Sequence, residues 1–301
     1  MVASAVAVIG FGIEIDFAVD SVDPARVFSA AGKLIGACQN FQSEVARGIS
    51  SVDLEPYLVV EDIRYGSLLV WLKQKIKQLD PSLLIKVNEE SLFSYLTQAT
   101  KELLILGSDE ITDHNLSNTQ KRILEIAGST DPTPVYPAYE RIPKKEMLDS
   151  LKEMKDGVDM LDPGDKAKFV LPSSERISFS IATDFTEESI EKLLTNRTIT
   201  NRTREILKIK SPDYLGDSQW KFKTDKVITA KMLDKDWVSE FKDGNIVLLP
   251  GDSIEAWVNS IRKYDIDMEL VSESYEIEEV IRLHRAKSNG SIARQESIEG
   301  L

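Results

Sequence analysis

QWKFKTDKVITAKMLDKDWVSEFKDGNIVLLPGDSIEAWV (219–258) decides the fold class of the second half of this chain. Trp220 and Phe222 share one face, and Ile228, Ala230 and Met232 share another, the period of two that strands impose. Lys235 to Phe241 reads as a single short helix between them. Asp243-Gly244 and Pro250-Gly251-Asp252 are turn signals. Downstream, 253–283 reads as two longer strands joined near Asp265, and upstream 166–171, 176–182 and 199–210 are strand-like, with a short helix near 185–194. Trp220, Trp237 and Trp257 are expected to anchor the core of this β domain, given the area each ring buries.

The first half alternates differently. A strand over 5–20, with Ile13, Ile15, Phe17 and Val19 on one face, leads to Asp23-Pro24, an N-cap followed by proline at the first helical position. The helix running to about Arg47 buries Val27, Ala31, Leu34, Cys38, Phe41 and Val45. Residues 57–63 read as a strand, and Gly66-Ser67 as the start of a helix carrying Leu68, Leu69, Trp71, Leu72, Ile76 and Leu79. In that helix Lys73, Lys75 and Lys77 fall on different faces and serve solubility. Asp80-Pro81 opens the next helical stretch, to Leu106. Ser117 with Gln120 has the spacing of a capping box, and Gly128 closes that helix. Residues 129–143 hold four prolines and read as a stiff linker, with a polar helix, Lys144 to Leu161, after it. The expected organisation is therefore α+β: an α/β unit at 1–128 with a small sheet packed by helices, the linker at 129–143, a mostly antiparallel β domain with one inserted short helix at 144–285, and a disordered tail at 286–301.

Composition excludes more than it suggests. The 301 residues include two histidines, His114 and His284, and one cysteine, Cys38, none at metal-ligand spacing. Zinc sites, histidine-based triads and disulfides draw on those residues. Cys38 is expected as a small buried hydrophobe. The net charge of −13 repels phosphate backbones at long range, which argues against duplex nucleic acid. No apolar run reaches the roughly eighteen residues of a membrane span. The apolar start lacks the basic flank of a signal peptide, so a cytoplasmic protein without membrane contact is expected.

Gly10-Phe11-Gly12 lies inside a strand and lacks the third glycine of a dinucleotide fingerprint. Acids are the remaining catalytic material. Glu14, Asp16, Glu55, Glu61 and Asp62 lie on or beside the two strands of the first part. If those strands are neighbours, their carboxylates can converge on Mg²⁺ or Mn²⁺, as in a nuclease or phosphohydrolase. Otherwise they are the solvated face of half-buried strands. The run NRTITNRTREILKIK (196–210) is the one basic stretch, and within it Arg202, Arg204, Lys208 and Lys210 share parity. On a strand they form a row able to meet phosphate, from a nucleotide or single-stranded RNA. The opposing reading is a charged face paired to nearby acids, or a protected sheet edge.

The phrases LVVEDIRYGSLLVWL (58–72) and DKDWVSEFKDGNIVLLPGDSIEAWV (234–258) resemble stretches of a family of uncharacterised bacterial proteins, in which a strand–helix unit precedes a small β domain. The resemblance implies a bacterial origin and the same two-part layout, and brings no catalytic motif. The reading reached is a non-enzymatic binding, regulatory or assembly protein that works without a resident cofactor and engages a protein partner, a second copy of itself or a small ligand. β-Augmentation along long strand edges is the mode that fits. The rival readings are the metal-dependent hydrolase and a sensor of a phosphorylated small ligand.

Overall fold

The computed structural model describes residues 10–18, 23, 25–49, 54–64, 68–78, 87–132, 139–183, 185–214 and 219–286. The chain divides into two compact units, Met1–Leu194 and Thr195–Leu301.

The first unit builds on a five-stranded sheet of order β2-β3-β1-β4-β5, from β1 (Phe11–Asp16), β2 (Leu54–Arg64), β3 (Leu68–Gln78), β4 (Lys166–Val170) and β5 (Arg176–Ser178). Phe11, Ile13 and Ile15 of β1 are fully buried, as are Leu72 of β3 and Phe169 of β4. The helices are α1 (Ala25–Arg47), α2 (Glu89–Ser108), α3 (Asp113–Thr130), α4 (Lys144–Val158) and α5 (Glu187–Leu194). The stripe expected on α1 is buried throughout, and burial raises the Cys38 thiol well above its ordinary pKa.

Three expectations are corrected. Residues 68–78 form a strand, because Leu68, Val70, Leu72 and Gln74 alternate strictly with exposed or half-buried neighbours. Lys73, Lys75 and Lys77 therefore share one face. The cap of α3 is Thr112, whose hydroxyl accepts the Asn115 N–H at 3.2 Å, one turn before Ser117. The boundary at 129–143 also gives way. α4 packs on α1, and β4 pairs antiparallel with β1, Ile13 opposite Phe169, so 144–194 belongs to the first unit. Residues 133–138 of the proline-rich stretch, 79–86 around Asp80-Pro81, most of the 5–20 strand outside β1, and 287–301 of the tail lie outside the described residues.

Two polar devices organise this unit. Gln74 of β3 donates to Gln42 of α1 at 2.9 Å. Gln42 donates to Thr100 of α2, and Thr97 of α2 donates back to Gln74, so a buried polar set is satisfied internally. Arg26, 6% exposed at its side chain, sits at the start of α1. It donates to Asp165 at 2.7 Å and pairs with Asp162 at 2.9 Å. Asp165 also accepts the Ala18 and Asp162 N–H groups, tying the end of β1, the start of α1 and the start of β4.

The second unit is a closed barrel of order β10-β8-β7-β6-β9, from β6 (Arg197–Ser211), β7 (Gln219–Lys223), β8 (Val227–Met232), β9 (Ser253–Tyr264) and β10 (Leu270–His284), with α6 (Lys235–Lys242) between β8 and β9. All neighbours are antiparallel except β8 and β10, which run parallel. Leu207, Trp220, Phe222, Ile228, Ala230, Ile254, Ala256, Val258 and Ile277 fill the barrel, and Phe241 of α6 packs on Trp220 with ring centroids 5.0 Å apart. Asp234 caps α6 through the Trp237 N–H and holds the Val280 N–H with its other oxygen, fastening the helix to β10. Trp220 and Trp237 belong to this core as expected, whereas Trp257 lies on the outer face of β9 beneath Arg202.

Candidate ligand-binding face of the barrel

The alternation of β6 turns Leu207 inward and Lys208 and Lys210 outward. β7 buries Trp220 and Phe222 and exposes Gln219, Lys221 and Lys223; β8 exposes Val227, Thr229 and Lys231. Register then sets the chemistry. Lys208 stands directly opposite Lys223, and Lys221 lies opposite Ser211 on one side and Thr229 on the other. Lys231 has Glu276 beside it on β10. Lys208, Lys210, Lys221 and Lys223 form one outward group, and none pairs with a carboxylate among the described residues. Like charges directly opposite on neighbouring strands oppose pairing.

Several other cations of the barrel are matched to acids. Arg202 donates to Glu278 at 2.8 Å and lies over the Trp257 ring, 3.9 Å from its centroid. Arg204 pairs with Glu255 at 2.5 Å, and Glu255 also meets His284 at 3.0 Å. Glu273 takes Lys226 and Arg262, each at 2.8 Å, and those two hydrogen bonds hold its carboxyl down to about 2. The row expected from parity therefore divides: Arg202 and Arg204 are committed to acids, while Lys208 and Lys210 join Lys221 and Lys223. The two β7 lysines escaped the sequence reading, although the alternation QWKFK places a cation at each of two outward positions.

The acidic candidates do not converge. β3 lies between β1 and β2, which separates Asp16 from Glu55, Glu61 and Asp62. Asp16 pairs with Lys168 at 2.5 Å, Glu14 with Arg176 at 2.7 Å and Glu55 with Lys77 at 3.6 Å, while Glu61 and Asp62 lie exposed on β2. Among the described residues no three His, Cys, Asp or Glu side chains are grouped closely enough to hold a metal ion. Nor is any described helix long and apolar enough to cross a membrane.

The two sheets differ in their edges. β2, one of the two edge strands of the first sheet, is blunted. Pro56 lacks an N–H, the Leu58 N–H is taken by Gln39 of α1 at 3.2 Å, and the register shifts between Val60 and Asp62. β6 pairs with β9 over Arg197–Lys208 but with β7 only over Lys208–Ser211, so from Arg197 to Ile206 one side of the strand has no strand partner among the described residues.

In chain order the barrel strands neighbour one another as first, second, third, fifth, fourth and first again, with a helix between third and fourth. That is the topology of the five-stranded Greek-key barrel which elsewhere binds oligonucleotides and oligosaccharides, with its second and third strands as the usual contact face. Topology defines a class of fold, not an activity. No family model, curated protein or solved structure matches this chain, so the resemblance to the bacterial two-part family gains no support from them.

Proposed function

We propose that the chain is a non-catalytic binding protein whose barrel holds a single-stranded nucleic acid by its phosphate backbone, across β6, β7 and β8. The supporting observation is the unneutralised juxtaposition of Lys208 and Lys223, opposite one another in register and flanked by Lys210 and Lys221, on a barrel whose other outward arginines are largely matched to carboxylates. A fold gains nothing from that arrangement, and an anion relieves it. Lys221 and Lys223 stand about 7 Å apart along the strand, a spacing comparable with successive phosphates of an extended single strand. The acid excess behind the net −13 lies mostly in the first unit, and the barrel is close to balanced. The outward positions of β7 and β8 carry no aromatic ring on which a base could stack, so binding is governed by charge and indifferent to sequence.

The test is fluorescence anisotropy with a labelled single-stranded oligonucleotide of mixed sequence. Four neutralised phosphates give a loss of roughly fifty-fold in affinity for a fourfold rise in salt. K221E/K223E is expected to weaken binding at least about tenfold and to flatten the salt slope by roughly 1.4. K121E, on α3 of the first unit, is expected to leave both unchanged. Affinity that ignores K221E/K223E, or no binding at low salt, overturns the proposal; preferential binding of polyglutamate assigns the face to acidic proteins instead.

A further inference from the structure

The open side of β6 has a charge pattern of its own, independent of the lysine face. From Arg197 to Ile206 the strand is bound on one side by β9 and exposed along nearly its whole length. Within it Arg202 and Arg204 are occupied by Glu278 and Glu255. Arg197 has no ion-pair partner among the described residues, and Glu205 accepts a hydrogen bond from the Thr203 hydroxyl at 2.7 Å. Charged residues ordinarily keep such an edge from meeting another copy of itself. Here they do the reverse in one register. Laid antiparallel on a second β6 with Asn201 on the two-fold axis, Arg197 falls opposite Glu205 twice, Thr198 opposite Arg204, Thr200 opposite Arg202 and Ile199 opposite Thr203. Both opposite-charge pairs are satisfied and no like charges face one another. A slip of two residues either centres the axis on Arg202, setting it against its own copy, or centres it on Thr200 and loses both Arg197–Glu205 pairs, which favours the Asn201-centred register. The blunted edge of β2 offers no comparable pairing.

We propose that two copies of this chain pair through the Arg197–Ile206 edge of β6, joining β10, β9 and β6 of one barrel to those of the other in one continuous sheet. This goes beyond the nucleic-acid reading and does not depend on it, since no lysine of the anion face lies in the paired segment. A C2 interface is self-complementary by construction, which the Arg197–Glu205 reciprocity satisfies.

Sedimentation velocity on the full chain, from micromolar to hundred-micromolar concentration, is expected to show a species of twice 33.8 kDa. R197E and E205R each turn both attractions into repulsions and are expected to raise the dimer dissociation constant roughly tenfold or more. R197E/E205R exchanges the charges and is expected to restore it, which separates lost pairing from lost folding. A chain that stays monomeric throughout, or a dimer that neither single reversal weakens, overturns the proposal, as does a double variant no better than the singles.

Discussion

Asp252→Ala is expected to unfold the barrel at temperatures where the native protein is intact. Asp252 is 1% exposed and lies in the turn that precedes β9. Its carboxylate accepts the Leu249 N–H at 2.9 Å, the Ala286 N–H at 3.0 Å and the Arg285 guanidinium at 2.8 Å. Its own carbonyl accepts the Ile209 N–H, so a single residue gathers β6, the turn and the end of β10. Beside it Gly251 adopts φ +97°, and a Cβ there would stand 3.0 Å from that of Ala286. Removing the carboxylate leaves two part-buried N–H groups and the half-exposed Arg285 guanidinium without their acceptor, a loss of about 3 kcal/mol. For a unit of this size that lowers the melting temperature by roughly 12–25 °C, read by calorimetry. Asp252→Asn is expected to recover little, because an amide presents hydrogens where three donors already point. The same carboxylate sets an acid limit. Burial alone would raise its pKa, but the two N–H groups and Arg285 outweigh burial and hold it below the ordinary value. The stabilisation is complete above the unfolded aspartate value near about 3.9 and fades as pH falls through the lower folded value. Glu273, held down to about 2, adds to the same window. The barrel is therefore expected to lose stability between about pH 4 and pH 2, and D252A to lose the Asp252 share of that dependence while the Glu273 share remains.

Arg26→Met is expected to do comparable damage to the first unit, by about 3–5 kcal/mol. Methionine keeps the length of the stem but strips Asp165, whose side chain is 3% exposed, of its cation. The buried carboxylate then rests on the Ala18 and Asp162 N–H groups alone. In the native protein burial pushes the Asp165 pKa up, and the hydrogen bonds from Arg26 and the two amides bring it below the ordinary value. Without Arg26 the balance tips back toward protonation. The penalty in R26M is therefore expected to be larger at pH 7 than at pH 4, where the carboxyl is able to neutralise itself. Chemical denaturation at the two values measures the difference. An equal cost at both would place the effect in packing of the arginine stem rather than in its charge.

What was legible in the sequence follows from what each signal encodes. The α1 stripe and the β-rich end with one inserted helix were readable because burial there is one-sided and periodic. Residues 68–78 misled because a leucine-rich run opening on Gly66-Ser67 looks helical. The decisive cue was weaker, the alternation of lysines with Gln74 and Ile76. The proline-rich stretch misled for another reason. Prolines mark where a chain turns, whereas a unit boundary depends on which elements bury each other, and α4 finds its apolar partner on α1, far back in the chain. The anion face was half visible. Parity found Lys208 and Lys210, but only register brings Lys223 opposite, and register is a property of two strands at once. The acids that claim Arg202 and Arg204 likewise come from β10 and β9, beyond two further strands and a helix in the sequence.

The parallel neighbourhood of β8 and β10 carries a kinetic consequence. Hairpins β7–β8 and β9–β10 are local and can zip early, but neither seals the cylinder. Closure waits for the final strand to reach back past α6 and β9, and for β6 to find β9, so assembly is dominated by distant encounters and is correspondingly slow. Until His284 has left the ribosome, Trp220, Phe222 and Phe241 have no finished wall around them. The nascent barrel is then at its most vulnerable to aggregation, and slower translation toward the end of the message would lengthen that interval.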